Sequence, residues 1–233
     1  MKTEQIMKNH AKLSPSASDK WLHCQAYVQY SAGQPNGTNV YAQSGTDMHS
    51  MAETCLTYGK DTKDLYGVNI PLVQEYLDYC RGLQTSTSTW MIEKRVKIMK
   101  GCSGTCDLLI YDKGHLHIID LKTGSSPVKA DSSQLKLYAI GALKLYKQTE
   151  KVTLHIVQPR AKTSTYSTTP EKLKAFKKIV KIAGKEALSE DHMETAYDSK
   201  RCRYCAGARV CPAYLASRNP VKEETLTFDQ DRL

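Results

Sequence analysis

The chain has 233 residues, with 33 Lys and Arg against 24 Asp and Glu, a formal charge of +9, and eight cysteines. That length suits one domain with a core of its own, since domains commonly hold ~100–200 residues. The opening Met1-Lys2-Thr3-Glu4-Gln5 lacks the apolar core of an export signal, and no stretch approaches the ~20 apolar residues of a membrane span. Many cysteines without an export signal point to a reducing compartment rather than a disulfide framework. The expectation is a cytoplasmic protein with no membrane partner, whose positive charge attracts a phosphate backbone and releases it as salt rises.

Residues 1–13 read as a flexible polar tail. Ser14 or Ser16 caps a helix predicted to run through Trp21 and Tyr27 toward Gly33, where the linker Gly33 to Asn39 breaks it. A second helix, about Gln43 to Tyr58, turns His49 inward, and a third follows Pro71 from Leu72 to Leu83. Strands are predicted over Trp90 to Met99, Thr105 to Tyr111 and His115 to Leu121, with Asp112-Lys113-Gly114-His115 as the hairpin turn between the last two. Ser132 to Tyr146 has helical spacing, and Lys151 to Gln158 alternates as a further strand. Strands joined through a helix pair in parallel, so the sheet should be mixed. A short strand at Thr165 to Thr168 precedes a helix from Pro170 to Leu188, and residues 218–233 form a second flexible tail. The predicted fold class is α/β, one domain over 14–217 with a central mixed β-sheet flanked by helices and a cysteine-rich C-terminal segment. There is no internal repeat, P-loop or dinucleotide fingerprint, so any helicase activity would need a partner.

Chemistry concentrates in Gly104-Thr105-Cys106-Asp107 and Ile119-Asp120-Leu121-Lys122. Residues i and i+2 of a strand share a face, so Asp120 and Lys122 project together, while Asp107 opens the neighbouring apolar run. Buried carboxylates cost several kcal/mol unless a metal or charged substrate compensates them. Hard oxygen ligands suit magnesium or manganese, and a lysine beside them can orient water or meet charge developing on phosphorus. Taken alone, the trio could equally be hairpin-edge acids with a solvated lysine. A second constellation is Cys202-x2-Cys205-x5-Cys211 with Cys24 far upstream, a spacing that suits either zinc or an iron–sulfur cluster. Cys55, Cys80, Cys102 and Cys106 read as small core residues, although Cys102 and Cys106 could also join Cys202 and Cys205 around zinc.

Together these residues resemble the PD-(D/E)xK nuclease superfamily in its RecB-like branch, with Asp107 as the first acid and Asp120-Leu121-Lys122 as the D-x-K element. Gly45-Thr46-Asp47-Met48-His49 resembles that branch's G-T-x-x-H helix, with Glu53 one turn further on. Gln134-Leu135-Lys136-Leu137-Tyr138 resembles its Q-x-x-x-Y helix. Glu93 lies on a predicted strand where related nucleases carry an acid, although an exposed strand residue would look the same. One early and three late cysteines, with Ser14-Pro15-Ser16 and Trp21 before the first, resemble the [4Fe-4S] staple of AddB-type and CRISPR-associated nucleases. This favours iron–sulfur over zinc.

The resemblance implies a restriction-endonuclease-like core and a deoxyribonuclease that needs magnesium or manganese, an exonuclease of phage or prophage type acting in recombination, repair or end processing. His49, Asp107, Asp120 and the Leu121 carbonyl would hold the metal. Lys122 would assist the water, Glu93 would add an acid, and Gln134 and Tyr138 would position the strand. It also implies DNA ends as the substrate, a single-strand annealing protein or helicase as partner, and the cytoplasm of a bacterial host. Arg201, Arg203 and Arg209 beside the cysteines are placed to meet DNA, whereas the lysines of the last long helix read as well as a solvated face. Two alternatives share the fold: a catalytically inactive DNA-end-binding module, and a nuclease stapled by zinc.

Overall fold

The computed structural model describes residues 11–35, 40–67, 69–191 and 193–218. After a 3-10 turn at Pro15–Ala17 come helices α1 (Ser18–Trp21), α2 (Tyr27–Ser31), α3 (Val40–Tyr58) and α4 (Ile70–Gly82). Strands β1 (Thr89–Met99), β2 (Cys102–Asp112) and β3 (His115–Leu121), helix α5 (Ser133–Ala142), and strands β4 (Lys151–Val157) and β5 (Ser164–Thr168) follow. Helices α6 (Pro170–Leu188), α7 (Ser199–Cys202) and α8 (Pro212–Arg218) complete the described chain. The sheet runs in sequence order, β1 to β5, antiparallel except for β3 and β4, which are parallel across the α5 crossover. This is the α/β arrangement with a mixed central sheet that the alternation of strand and helix patterns implies.

Local chemistry fixes the joints. Lys113 and Gly114 both have positive φ, 43° and 83°, which gives the two-residue turn whose twist suits a hairpin. Ser132 Oγ accepts from Leu135 N–H at the start of α5, and Thr169 with Pro170 starts α6 in the same way.

Each face of the sheet has its own core. Met48, Ala52 and Cys55 of α3 and Val73, Tyr76, Leu77 and Cys80 of α4 pack against Leu108, Ile110, Ile119 and Leu121. On the opposite face, Leu135 and Tyr138 of α5 and Leu173 and Val180 of α6 meet Val96, Ile98, Leu109, Ile118 and Leu154. Strand β4 is buried from Val152 to Val157 on both sides, as a central parallel strand covered by two helical layers must be, rather than on the alternate residues its sequence suggests.

Three expectations are corrected. The predicted helix from Ser14 to Gly33 is broken at Leu22 to Ala26, because the Ala26 N–H bonds to the Glu194 carbonyl at 3.2 Å instead of continuing the helix. The helix predicted to Tyr146 ends at Ala142, where the chain tightens and Lys144 Nζ turns to the carbonyls of Lys97 and Ile98. The N-terminal tail is shorter than expected: Leu13 is fully buried and its N–H bonds to Gly101 O at 3.1 Å. Residues 1–10, the linker positions 36–39 and the C-terminal tail from 219 lie outside the described residues.

Candidate metal centre and adjoining groove

The site lies where sheet pairing is interrupted. Ile92 pairs with Leu108 and Lys94 with Cys106, so Glu93 of β1 stands opposite Asp107 of β2 without a regular pairing between them. Leu108 pairs with Ile119, and one step further the same row reaches Asp120 of β3. Three acids therefore share one row of three adjacent strands. Glu93 sits at φ 46°, a left-handed conformation that costs a non-glycine residue about 1–3 kcal/mol and that persists where the surroundings enforce it. The change of face is also visible in burial, since Cys106 packs with the α5 side and Leu108 with the α3 side.

Helix α3 brings His49 to this row. Its Nδ1 lies 3.4 Å from Asp107 Oδ2, which also accepts the Leu121 N–H at 2.7 Å. One ligand atom each of His49, Glu93 and Asp107 lies within 4.8 Å of the others, around a small cavity that Glu53, Tyr76 and Leu121 help to line. Gly45 makes room for this approach: a Cβ there would come within 2.8 Å of Thr123 Oγ1 in the loop after β3, so that side chain would have to turn away. Burial works against charging His49, but the hydrogen bond and charge of Asp107, helped by Asp120, outweigh it and hold the imidazole's pKa above its ordinary value.

Asp120 and Lys122 face the α5 side. Lys122 Nζ lies 2.8 Å from Asp120 Oδ2 and donates to Gln134 Oε1 at 3.0 Å, while Gln134 Nε2 donates to Asp120 Oδ1 at 2.9 Å. Behind them the Tyr138 hydroxyl is 3.4 Å from Gln134 Nε2. Gln134 and Tyr138 thus brace the ion pair from one face of α5. Burial pushes the Asp120 carboxyl up, to about 6, against the pull of Lys122 and with the help of Asp107. Lys122 stays above its ordinary value: burial disfavours the ammonium, and Asp120 beside it more than compensates. Asp120 Oδ2 is buried without a hydrogen bond of good geometry even so close to the ammonium.

Of the residues expected to hold the metal, His49 and Asp107 come together and are joined by Glu93, which the sequence marks only as an added acid, whereas Asp120 is engaged by Lys122 and Gln134. Leu121 stays in the sheet, opposite Val157.

Other residues at this site carry no local signature. Arg160, after β4, donates to Thr123 O at 3.0 Å and to Asn69 Oδ1 at 2.8 Å, and Asn69 donates to Ser44 Oγ on α3 at 3.0 Å. Gln158 is buried and holds the loop after Lys122 by three bonds, accepting from Val128 N–H and donating to the carbonyls of Gly124 and Ser126. These contacts fix one wall of a groove of about 1140 Å³ that runs past His49 and Lys122.

Cys24, Cys202, Cys205 and Cys211 are free, partly exposed, and line a separate cavity of about 230 Å³ between the first helices and the C-terminal segment. Among the described residues, no three of the four sulfurs lie within 4.8 Å of one another. Cys102 and Cys106 are buried in the α5-side core, away from that cavity.

The family described as "Protein of unknown function (DUF2800)" matches residues 10–230. Among solved structures, the chain is similar to that of "Crystal structure of SSO0001", with 16% identity over 86% of this chain and 85% of that one and a TM-score of 0.37. No helix among the described residues is long and apolar enough to cross a membrane.

Proposed function

The chain belongs to the DUF2800 family, and for this member we propose a deoxyribonuclease of the PD-(D/E)xK, RecB-like type that depends on a divalent metal. The observation that carries the reading is the meeting of His49, Glu93 and Asp107 within 4.8 Å beside the Asp120–Lys122 pair. One imidazole nitrogen and carboxylate oxygens form a donor set that fits magnesium or manganese, and Asp120, paired with Lys122, adds a carboxylate on the neighbouring strand. His49, Glu93 and Asp107 would hold the ion, with Asp120 completing the set from the next strand. When bound, the ion supplies Lewis acidity toward a phosphodiester oxygen and lowers the pKa of water.

The chain's own groups do the rest. Lys122, kept charged by Asp120 and aimed by Gln134, stabilises negative charge that develops on phosphorus. Water oxygen forms the new P–O bond and gives up a proton to solvent, the bond to the leaving sugar oxygen breaks, and that oxygen takes a proton from solvent. Asp107, fixed by the Leu121 N–H, keeps its carboxylate in register with His49.

The cysteine quartet extends the reading to a [4Fe-4S] cluster held by Cys24, Cys202, Cys205 and Cys211. All four thiols line one cavity, and their arrangement, one early and three late, resembles the [4Fe-4S] staple, whose cysteines bind different irons. Anaerobic purification should give a brown protein with broad visible absorption; a colourless protein with stoichiometric zinc decides for zinc.

The central test is cleavage of end-labelled linear, circular and single-stranded DNA with magnesium or manganese. Wild type should cut linear DNA and spare circles, as an exonuclease does. Asp120→Ala should abolish cutting while binding DNA as well or better, and undiminished cutting by that variant refutes the assigned site.

A further inference from the structure

The groove past His49 and Lys122 is walled by core elements: Ser44 of α3, Asn69 before α4, the Thr123 to Ser126 loop and Arg160. One lining residue comes from elsewhere. Tyr204, between Cys202 and Cys205, reaches the groove from the cysteine-rich segment while 73% exposed, and unlike the exposed Tyr58 and Tyr66 it lines the groove. The Arg203 guanidinium lies 5.5 Å from its ring centroid, a cation–π contact that orients the ring without covering it in the core.

The chemistry of the groove is divided accordingly. Arg160, Lys122 and the loop hydroxyls offer donors to phosphates and sugars along one side, and Tyr204 offers a flat apolar face with a polar tip. A ring that meets solvent beside phosphate-binding donors suits the face of an unpaired base, because every base has a π-face and a paired duplex keeps its own stacked inside. We propose that Tyr204 is a base-stacking residue of the groove, and that the strand entering the site is single-stranded DNA with one base laid on that ring. This inference rests on the nuclease reading for the identity of the site and goes beyond it in naming the substrate form and the residue that selects it. It also gives the cysteine segment a second task, because ligation of Cys202 and Cys205 on either side would fix the position of Tyr204.

The test is equilibrium binding of fluorescent oligonucleotides by the full chain with divalent metal withheld, so that nothing is cut. Three probes are used: a 20-nucleotide single strand, the same strand with abasic positions, and a blunt duplex. Tyr204→Ala should weaken single-strand binding about 5- to 100-fold, the range that base–aromatic stacking spans, while Tyr204→Phe and Tyr204→Trp retain it. Duplex binding should change by less than about 2-fold. The abasic strand should bind wild type and Tyr204→Ala alike, since either change removes the same contact.

Equal single-strand affinity for Tyr204→Ala and wild type overturns the inference, as does an equal loss on duplex and single strand. Loss in Tyr204→Ala accompanied by loss of visible absorption traces the effect to the cysteine segment and likewise overturns it. The two readings separate cleanly. Tyr204-dependent binding without cleavage under magnesium or manganese sinks the nuclease and keeps the stacking site, whereas cleavage indifferent to Tyr204 does the reverse.

Discussion

Asp107 accepts the backbone N–H of Leu121 on its Oδ2 at 2.7 Å, where regular pairing between their strands has just ended. A carboxylate that replaces a ladder acceptor is held by the sheet itself, so its stability role and its metal role can be separated. Asp107→Asn keeps an oxygen for Leu121 and should stay within about 1 kcal/mol of wild type, whereas Asp107→Ala strands a backbone donor and should lose about 1–3 kcal/mol. Both should lose manganese affinity. Urea denaturation beside calorimetric titration with manganese checks this, and an Asp107→Asn protein with unchanged metal affinity contradicts the assigned ligand.

Glu93 offers a test of strain. At φ 46° a glycine is at ease and an alanine is not, so Glu93→Gly should be more stable than Glu93→Ala by about 1 kcal/mol, the reverse of their usual order in a strand. Both variants lack the carboxylate and should fail to cleave DNA. Equal urea midpoints, or a more stable alanine variant, would show that the backbone at this row relaxes without cost.

Much of this geometry is written locally. A period of two puts Asp120 and Lys122 on one face, and a helical period turns His49 inward and lines Gln134 up with Tyr138. The turn residues Lys113 and Gly114 announce the hairpin that joins β2 to β3. What is not written locally is whatever a distant segment decides. The break at Ala26 depends on Glu194, a partner 168 positions away. Burial of β4 on both faces depends on the two helical layers, and Arg160 and Asn69 meet across the six elements from α4 to β4. Glu93 is intermediate: its strand is legible, but its positive φ and its place opposite Asp107 are properties of the folded sheet.

Gln158 holds the loop beyond Lys122 through both ends of its amide, and no substitution preserves all three bonds. Gln158→Leu leaves one donor and two acceptors without their partner near a buried position, for a cost of about 2–4 kcal/mol after solvent reaches part of the loop. Hydrogen exchange at residues 124–128 should quicken, and the KM for DNA should rise more than kcat falls, because the wall of the groove moves while the metal ligands do not. Unchanged exchange in that loop would mean that Arg160 alone suffices to hold it.

A histidine ladder on the α4 side of the sheet should set an acid limit on stability. His117 Nδ1 and His155 Nε2 share a hydrogen bond at 2.9 Å, His155 Nδ1 meets the Tyr79 hydroxyl at 2.8 Å, and the His115 ring lies against His117 at 3.9 Å. Burial depresses His155 to about 3, with the neighbouring histidines adding to the effect, and lowers His117 to about 4, with His115 and Lys151 adding and the Asp112 charge opposing. Because the folded values lie below the unfolded value of about 6.5, the unfolded chain binds more protons in between. Stability is therefore full above pH 6.5 and falls as pH drops toward 4, by roughly 2–3 kcal/mol for the buried His155. His155→Phe should flatten the dependence of the urea midpoint on pH between 6.5 and 4, beyond any constant offset. A slope identical to that of wild type would place the acid sensitivity in the carboxylates instead.

The cysteines divide into two chemical classes that alkylation can separate. Burial pushes the Cys80 and Cys102 thiols up to about 12 and Cys106 well above its ordinary value, so these three hold little thiolate at neutral pH, and Cys55 is fully buried, so all four offer little access. Cys24, Cys202, Cys205 and Cys211 are partly exposed around their shared cavity. Iodoacetamide applied to the folded protein after chelation and reduction should label those four first. The same reagent applied to the protein purified without oxygen should leave them unlabelled, because ligated thiolates do not react. Denaturant should then release the core thiols together, in one transition that tracks unfolding. Early labelling of Cys102 or Cys106 in folded protein would remove them from the core and reopen the four-thiolate zinc site that their spacing with Cys202 and Cys205 allows.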